Sequence, residues 1–570
     1  MKRFLIALLA GARLAAADGS TAVGDPVLEP ATTTCLAVRW IVGGDDDGDA
    51  RVALAWRAKG AADWRDGADL WRVGKGHHVA SQAAGGGATL PVPEDARLFA
   101  GSVLWLQPGT DYELRVQLID ADGGGAERII PARTTIEPIA AADARLRYVA
   151  PGDGGGSGED HDPWKGLPAA LARVKPGDVL LLQKGVYPPV EIAISGEPGK
   201  PIILRGLTGA VIDGAGAGRV ISATGIHDVW FEDLELRNGE YGIVAHESTR
   251  LVVRGCHLHG VAYGVTATRD RQTDGFFIAD NLLEGPSTWP RTKGIEGARG
   301  IQISGEGHEV CYNRVRGFAD AINTFQDGRC SAIDFHHNDV SELTDDGIEL
   351  DFSQRNVRCF QNRLTNVYQG ISLQPIFGGP VYVLRNLLVN VPVEPFKLHN
   401  GPSGAIIMHN TVIKKGSPFG VYGEVAIRRC VSRNNLFIGF GEDRYATSFD
   451  MAMEDCDFDY DGFGGGPWGN FCKWNKVKYP TLEAMREAPI HHHSLVVDPK
   501  TTFAAPLAAV TDENAQRAIG DDVALAADAT AIDAGLALPG INDGFAGKAP
   551  DLGAYEFSVA APHYGPRPKK

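Results

Sequence analysis

Residues 338–350 read Asn338-Asp339-Val340-Ser341-Glu342-Leu343-Thr344-Asp345-Asp346-Gly347-Ile348-Glu349-Leu350, and two features of this stretch recur along the chain. The first is Asn-x-apolar: Asn338-Asp339-Val340, Asn362-Arg363-Leu364, Asn386-Leu387-Leu388 and Asn410-Thr411-Val412. Asn313 precedes and Asn435 follows, at intervals of 25, 24, 24, 24 and 25 residues. The second is a small residue followed by a β-branched one: Gly242-Ile243, Gly264-Val265, Gly300-Ile301, Ala321-Ile322, Gly347-Ile348, Gly370-Ile371 and Gly420-Val421. Two short strands per beat of about 24 residues predict one coil of a stacked parallel solenoid. An amide at the same turn of every coil predicts a side-chain ladder, because stacked strands lie about 4.8 Å apart. A leucine-rich repeat has a similar period, but the leucines do not supply its pattern.

Working outward, Leu167–Val174 reads as a short amphipathic helix ahead of a buried strand, Val179–Leu182. A helix there caps the open end of a solenoid, whose bare strand edges invite aggregation. Residues 147–560 resemble the pectate-lyase-like right-handed parallel β-helix superfamily, and Asp551-Leu552-Gly553-Ala554-Tyr555-Glu556-Phe557 is similar to the endings of many secreted β-helix proteins. The fold class expected is all-β: a right-handed parallel β-helix with an N-terminal cap helix and a loop-rich C-terminal end. Residues 25–137 alternate polar and apolar in strands such as Cys35–Trp40, Arg51–Trp56 and Tyr112–Leu118. The turn Leu106–Tyr112 resembles the tyrosine corner of fibronectin type III β-sandwiches.

The chain of 570 residues is too long for one compact core and carries a formal charge of −16. Such a surface disfavours nucleic acid, although a local basic or metal site still permits an anionic substrate. Residues 1–17 read as a signal peptide: Lys2 and Arg3, an apolar run from Phe4 to Leu9, and Ala15-Ala16-Ala17. No later segment is apolar for long enough to span a bilayer. The expectation is a secreted or periplasmic monomer, without membrane insertion and without a nucleic-acid partner. Among eight cysteines there is no CxxC pair; Cys456 and Cys472 are a candidate disulfide, and Cys256, Cys311, Cys359 and Cys430 read as buried strand residues. His491-His492-His493 alternates faces on one strand and is expected to play a local structural role.

Side chains alternate across a strand, so with Ile348 and Leu350 inward, Glu349 and Asp351 face outward. The same rule gives one outward row of Val244, Thr266, Gln302, Asn323, Glu349, Ser372, Lys397 and Tyr422, and a second of His246, Thr268, Ser304, Phe325, Asp351, Gln374, His399 and Glu424. Asp320, Asp345 and Asp346 sit just before these strands, and Arg299 one coil earlier. The coil between Gly264 and Gly300 is lengthened and contains Ser287–Lys293, where Trp289 is placed to stack on a sugar and Arg291 and Lys293 to meet anions.

This gathering of acids, amides and a lysine predicts a polysaccharide-active enzyme. The first reading is a lyase that cleaves a uronic-acid-containing chain by β-elimination. That reaction needs the uronate neutralised and a proton removed beside it. Asn323, Glu349 and Asp351 resemble the site at which chondroitinase B-type and alginate lyases hold Ca²⁺ with an Asn and two acids at i and i+2. Lys397 or His399 would then serve as base, and Arg299, Gln302, Gln374, Trp289, Asp320 and Glu424, along the outward rows and beside them, are the expected substrate contacts. The lysine which that family places shortly after its acidic pair, and its arginine on the next coil, are absent; Lys397 and Gln374 stand instead. The second reading is a glycoside hydrolase using carboxylate pairs among Asp320, Asp346, Glu349 and Asp351, with crowding raising the acid's pKa. A uronate epimerase would share the lyase's proton abstraction. The third reading is a non-catalytic adhesin.

Overall fold

The computed structural model describes residues 19–79, 90–268, 273–292, 294, 297–325, 330–488, 490–518 and 523–569. The leader read at residues 1–17 and Lys293 lie outside this set.

The body is a β-solenoid made of two long parallel sheets, one of sixteen strands and one of twenty among the described residues. Its interior is one continuous apolar column from Val149 to Ile490. Each coil adds β-branched or aromatic residues that fit a pleated surface buried on its inner side. Ile322, Ile348, Ile371 and Phe396 stack coil upon coil in register. The small residue preceding each of the three isoleucines reflects tight packing: a Cβ on Gly347 would sit 2.4 Å from Leu364 Cδ2.

The asparagine ladder forms throughout. Nδ2 of Asn313, Asn338, Asn362, Asn386 and Asn410 each donates to Oδ1 of the next asparagine, at 2.9–3.0 Å. It also extends past both ends of the expected series, starting at Asn281 and finishing on the Asp461 carboxylate. These residues are fully buried, so each unmade bond would leave a dry polar group, which costs about 1–3 kcal/mol.

The cap helix spans Leu167–Leu171, shorter than expected, and buries Leu167, Ala170 and Leu171. A second helix, Leu482–Met485, is capped by the Thr481 side chain and packs Leu482 and Met485 against the end of the core. The C-terminal loops then return along the flank of the solenoid. Phe503, Leu525 and Leu552 cover the outer faces of Leu387, Ile413 and Leu436, and Arg567 pairs with Asp280 and Glu137.

Near the N-terminus lie two four-stranded antiparallel sheets, running from Thr21–Glu29 to Gly125–Arg133. They share one core containing Trp40, Leu54, Phe99 and Leu114. The Tyr112 hydroxyl accepts from the Gln107 backbone N–H at 2.9 Å, pinning the turn between them. This unit is docked on the sixteen-stranded sheet: Thr33 N donates to Glu309, and Trp71 Nε1 donates to Gly378 O.

The candidate disulfide does not form: Cys456 and Cys472 are both free thiols. Cys456 Sγ donates to the Ile427 and Glu454 carbonyls, whereas Cys472 points into the core from the other sheet. Cys256, Cys311, Cys359 and Cys430 are buried. The three histidines diverge: His491 is buried against Ser494 Oγ, His493 pairs with Asp459, and His492 is exposed.

Candidate functional site

The twenty-stranded sheet carries the first outward row in the expected register. Val244, Thr266, Gln302, Asn323, Glu349, Ser372 and Lys397 are successive pairing partners. A one-residue slip would have turned this whole set into the core.

At the middle of the row the acids converge. Asp320, Asp346 and Glu349 each place a carboxylate oxygen within 4.8 Å of the other two. Asp320 accepts from the Asp346 backbone N–H and pairs with Arg299 Nε at 3.0 Å. Lys397 Nζ donates to Asp346 Oδ2 at 2.9 Å. Asp351 adjoins this trio through the Glu349 side chain, and its Oδ1 accepts from Ser372 Oγ at 2.7 Å and Gln374 N at 2.6 Å on the next coil. Asp320 and Asp346 thus join Glu349, which was read from sequence as a cation ligand together with Asn323 and Asp351. Asn323 does sit beside Glu349, and its Oδ1 is buried without a hydrogen-bond partner, as is Asp346 Oδ1.

Burial and mutual repulsion push all four acids up. Asp346 rises to about 6 and Asp351 to about 7, and Asp320 and Glu349 rise well above the ordinary carboxylate range. Desolvation is the largest cause for each, with the neighbouring carboxylates next for all but Asp346, where the Lys397 ammonium opposes the rise. Lys397 is itself raised by Asp346 despite burial. As it stands it is an ammonium with no lone pair for proton abstraction, which disagrees with its reading as a base.

His399 keeps company the sequence did not signal: its Nε2 lies 2.9 Å from Glu394, a buried carboxylate that also accepts from Tyr422 N. Gln302 is nearly buried in the row, and Gln374 Oε1 is buried without a partner. Glu424 is exposed in a bend beyond the Phe419–Val421 strand and joins none of these groups. The lengthened coil folds back over the site. Arg291 lies over the Tyr368 ring at 4.2 Å and 3.9 Å from Asp345, while Trp289 is half-buried with its indole N–H unpartnered.

A second column was missed. The residue just before each small-apolar pair forms its own ladder: Tyr241, Tyr263, Arg299 and Asp320 pair in succession, with Arg219 before them. Its signal was present in Tyr241-Gly242-Ile243, Tyr263-Gly264-Val265 and Arg299-Gly300-Ile301. This column walls a cleft of about 370 Å³ on the N-terminal side of the acids. A larger cleft of about 670 Å³, walled by Tyr422, Arg444, Ser448 and Lys473, lies on the C-terminal side.

The fold and site thus define an all-β parallel solenoid with an acid-rich groove along one face. No protein-family profile matches the chain, and no curated protein matches it. Solved structures that resemble it include the following two. An alginate lyase from Paenibacillus sp. str. FPU-7 is 16% identical with TM-score 0.29, covering 51% of this chain and 92% of its own. The catalytic domain of a GH87 α-1,3-glucanase in complex with nigerose is 11% identical with TM-score 0.24, covering 80% of this chain and 88% of its own. Likenesses this low carry no argument about this chain's chemistry.

Proposed function

We propose that this chain is a polysaccharide-active enzyme and that Asp320, Asp346, Glu349 and Asp351 form its acid–base centre, cleaving a glycosidic bond by hydrolysis. The observation that carries this reading is the crowding of three carboxylates within 4.8 Å, with Asp346 raised to about 6 and Asp351 to about 7. Glycosidases need one carboxyl that keeps its proton near neutrality, to give to the leaving oxygen, and one that is ionised, to act as base or nucleophile. Crowded acids divide in this way because they cannot all ionise together. Arg299 and Lys397 hold Asp320 and Asp346 in place. Clefts on both sides of the centre suit a long chain crossing it.

One observation favours β-elimination as a second reading: the His399–Glu394 pair, an imidazole oriented by a buried carboxylate. In that case Asp320, Asp346, Glu349 and the unpartnered Asn323 Oδ1 form a hard oxygen set that would suit Ca²⁺. The ion would supply neutralisation of a substrate carboxylate. The pectate-lyase-like superfamily and a fibronectin type III-like spacer remain our readings of the solenoid and of the sandwich with its Tyr112 corner. The leader-like residues 1–17 support export.

Digestion of a polysaccharide panel tests the proposal. Reducing ends without ultraviolet absorbance from an unsaturated uronate are expected, and are lost in Glu349→Gln. Absorbance that rises with the reducing ends transfers the assignment to elimination, and a Glu349→Gln variant with undiminished turnover removes the centre.

A further inference from the structure

Among the described residues, the cleft N-terminal to the acids has no acidic residue in its wall, although the chain as a whole is strongly acidic. Two arginines face it. Arg299 is committed to Asp320 at 3.0 Å. Arg219 is exposed, and no carboxylate pairs with it among the described residues. Between them stand Tyr241 and Tyr263, stacked 4.6 Å apart with rings 12° from parallel. Such a stack is stiff, so both phenol hydroxyls are held at fixed heights along the groove. Thr266 also lines the cleft; it is only 4% exposed, and its Oγ1 has no hydrogen-bond partner. A dry hydroxyl without a partner costs free energy unless a bound group satisfies it.

We infer that this cleft is a subsite for a sugar residue bearing an anionic substituent, a carboxylate or a sulfate ester, with Arg219 as its counter-ion. The inference rests on the proposed polysaccharide activity for the identity of the chain, and supplies what that reading leaves open: the charge of the substrate. A guanidinium presents a planar fork that fits either anion with two parallel hydrogen bonds. Thr266 and the two tyrosines supply ring-hydroxyl contacts. Because the global field repels polyanions, recognition depends on this local cation and is sensitive to its removal.

The test is affinity electrophoresis of the full chain through gels containing polygalacturonate, dextran sulfate or neutral galactomannan, with wild type, Arg219→Ala, Arg219→Lys and Arg128→Ala. Arg128 is exposed on the sandwich and controls for net charge. Wild type is expected to be retarded by one anionic gel, which also identifies carboxylate or sulfate, and not by the neutral one. Arg219→Ala weakens that retardation by about tenfold or more, Arg219→Lys recovers part of it, and Arg128→Ala changes nothing. Equal retardation of Arg219→Ala, equal retardation in the neutral gel, or no retardation in any gel overturns the subsite. The two proposals fail separately. Retardation that depends on Arg219 alongside an active Glu349→Gln removes the acid centre and keeps the subsite. Turnover of a neutral glycan with no anionic retention does the reverse.

Discussion

Lys397 Nζ meets Asp346 Oδ2 at 2.9 Å from a strand two coils further along the solenoid. This contact ties the row of amides and acids to the column that begins at Arg219. It also sets the charge balance: among the described residues, the cations paired with Asp320, Asp346, Glu349 and Asp351 are Lys397 and Arg299. Two negative charges are left for protons, a cation or a substrate to offset.

Removing Lys397 therefore exposes the strain. Asp346 is 2% exposed, and an unpaired buried carboxylate costs about 3–5 kcal/mol when ionised. Lys397→Met is expected to lose stability of that order at about pH 8 and far less at about pH 5, where Asp346 takes up a proton. Lys397→Met/Asp346→Asn recovers most of the loss. Urea titrations at the two pH values measure it, and equal losses at both would show that the pair is not coupled to protonation.

The acids also fix the sign of the protein's pH response. Each has a folded-state pKa above its unfolded value of about 4, so the folded chain holds protons that the unfolded chain releases. Their contribution is most favourable below about pH 4 and is lost as pH rises through about 6 for Asp346 and about 7 for Asp351. With chelator present, melting temperature should fall across this window. The fall should shrink in Glu349→Gln/Asp351→Asn, which has fewer protons to release. A slope unchanged by the double substitution would mean that other groups set it.

Much of this was legible in the sequence, and the reasons differ by residue. The beat of Asn338, Asn362 and Asn386 gave the coil, and alternation about Ile348 gave the outward row through Lys397, because both follow from fixed strand geometry. The column of Tyr241 and Tyr263 was legible but unread, since residues before a glycine look like turn residues. The turning of Asp351 to Ser372 and Gln374 N was not legible. It depends on where a strand stops, and on which hydrogen-bond donors the next coil leaves free. Glu394 escaped for a similar reason: it reaches His399 from a loop outside the alternating pattern.

The unpartnered Asn323 Oδ1 and Asp346 Oδ1 make cation binding measurable apart from activity. If the elimination reading holds, Ca²⁺ is expected to raise the melting temperature at about pH 8, where the carboxylates are ionised, and much less at about pH 5, since ligands must be deprotonated. Asn323→Leu should abolish the shift. Calorimetric titration showing no heat and no shift would leave Lys397, Arg299 and bound protons as the counter-charges among the described residues, which is the hydrolase arrangement.

The junction of sandwich and solenoid depends on Arg358, which is fully buried and paired with Asp334, equally buried. Arg358 Nη1 also donates to Ser102 Oγ across the junction, and Thr32 Oγ1 donates to Asp334 from the sandwich side. Each partner thus satisfies the other and a residue of the opposite unit, so neither unit has a dry, complete surface alone. Arg358→Ala leaves Asp334 as a buried charge without its counter-ion, and a loss of about 3–5 kcal/mol is expected. Arg358→Lys recovers little, because one ammonium cannot reproduce the guanidinium fork. Arg358→Met/Asp334→Leu should recover most of the stability, since apolar replacement of both partners removes the desolvation cost that the single variant exposes. Hydrogen exchange checks the location: amides around Thr32 and Ser102 should lose protection in Arg358→Ala, while the asparagine-ladder coils keep theirs. Protection lost evenly along the chain would show that the pair stabilises the solenoid itself and not the docking of the sandwich upon it.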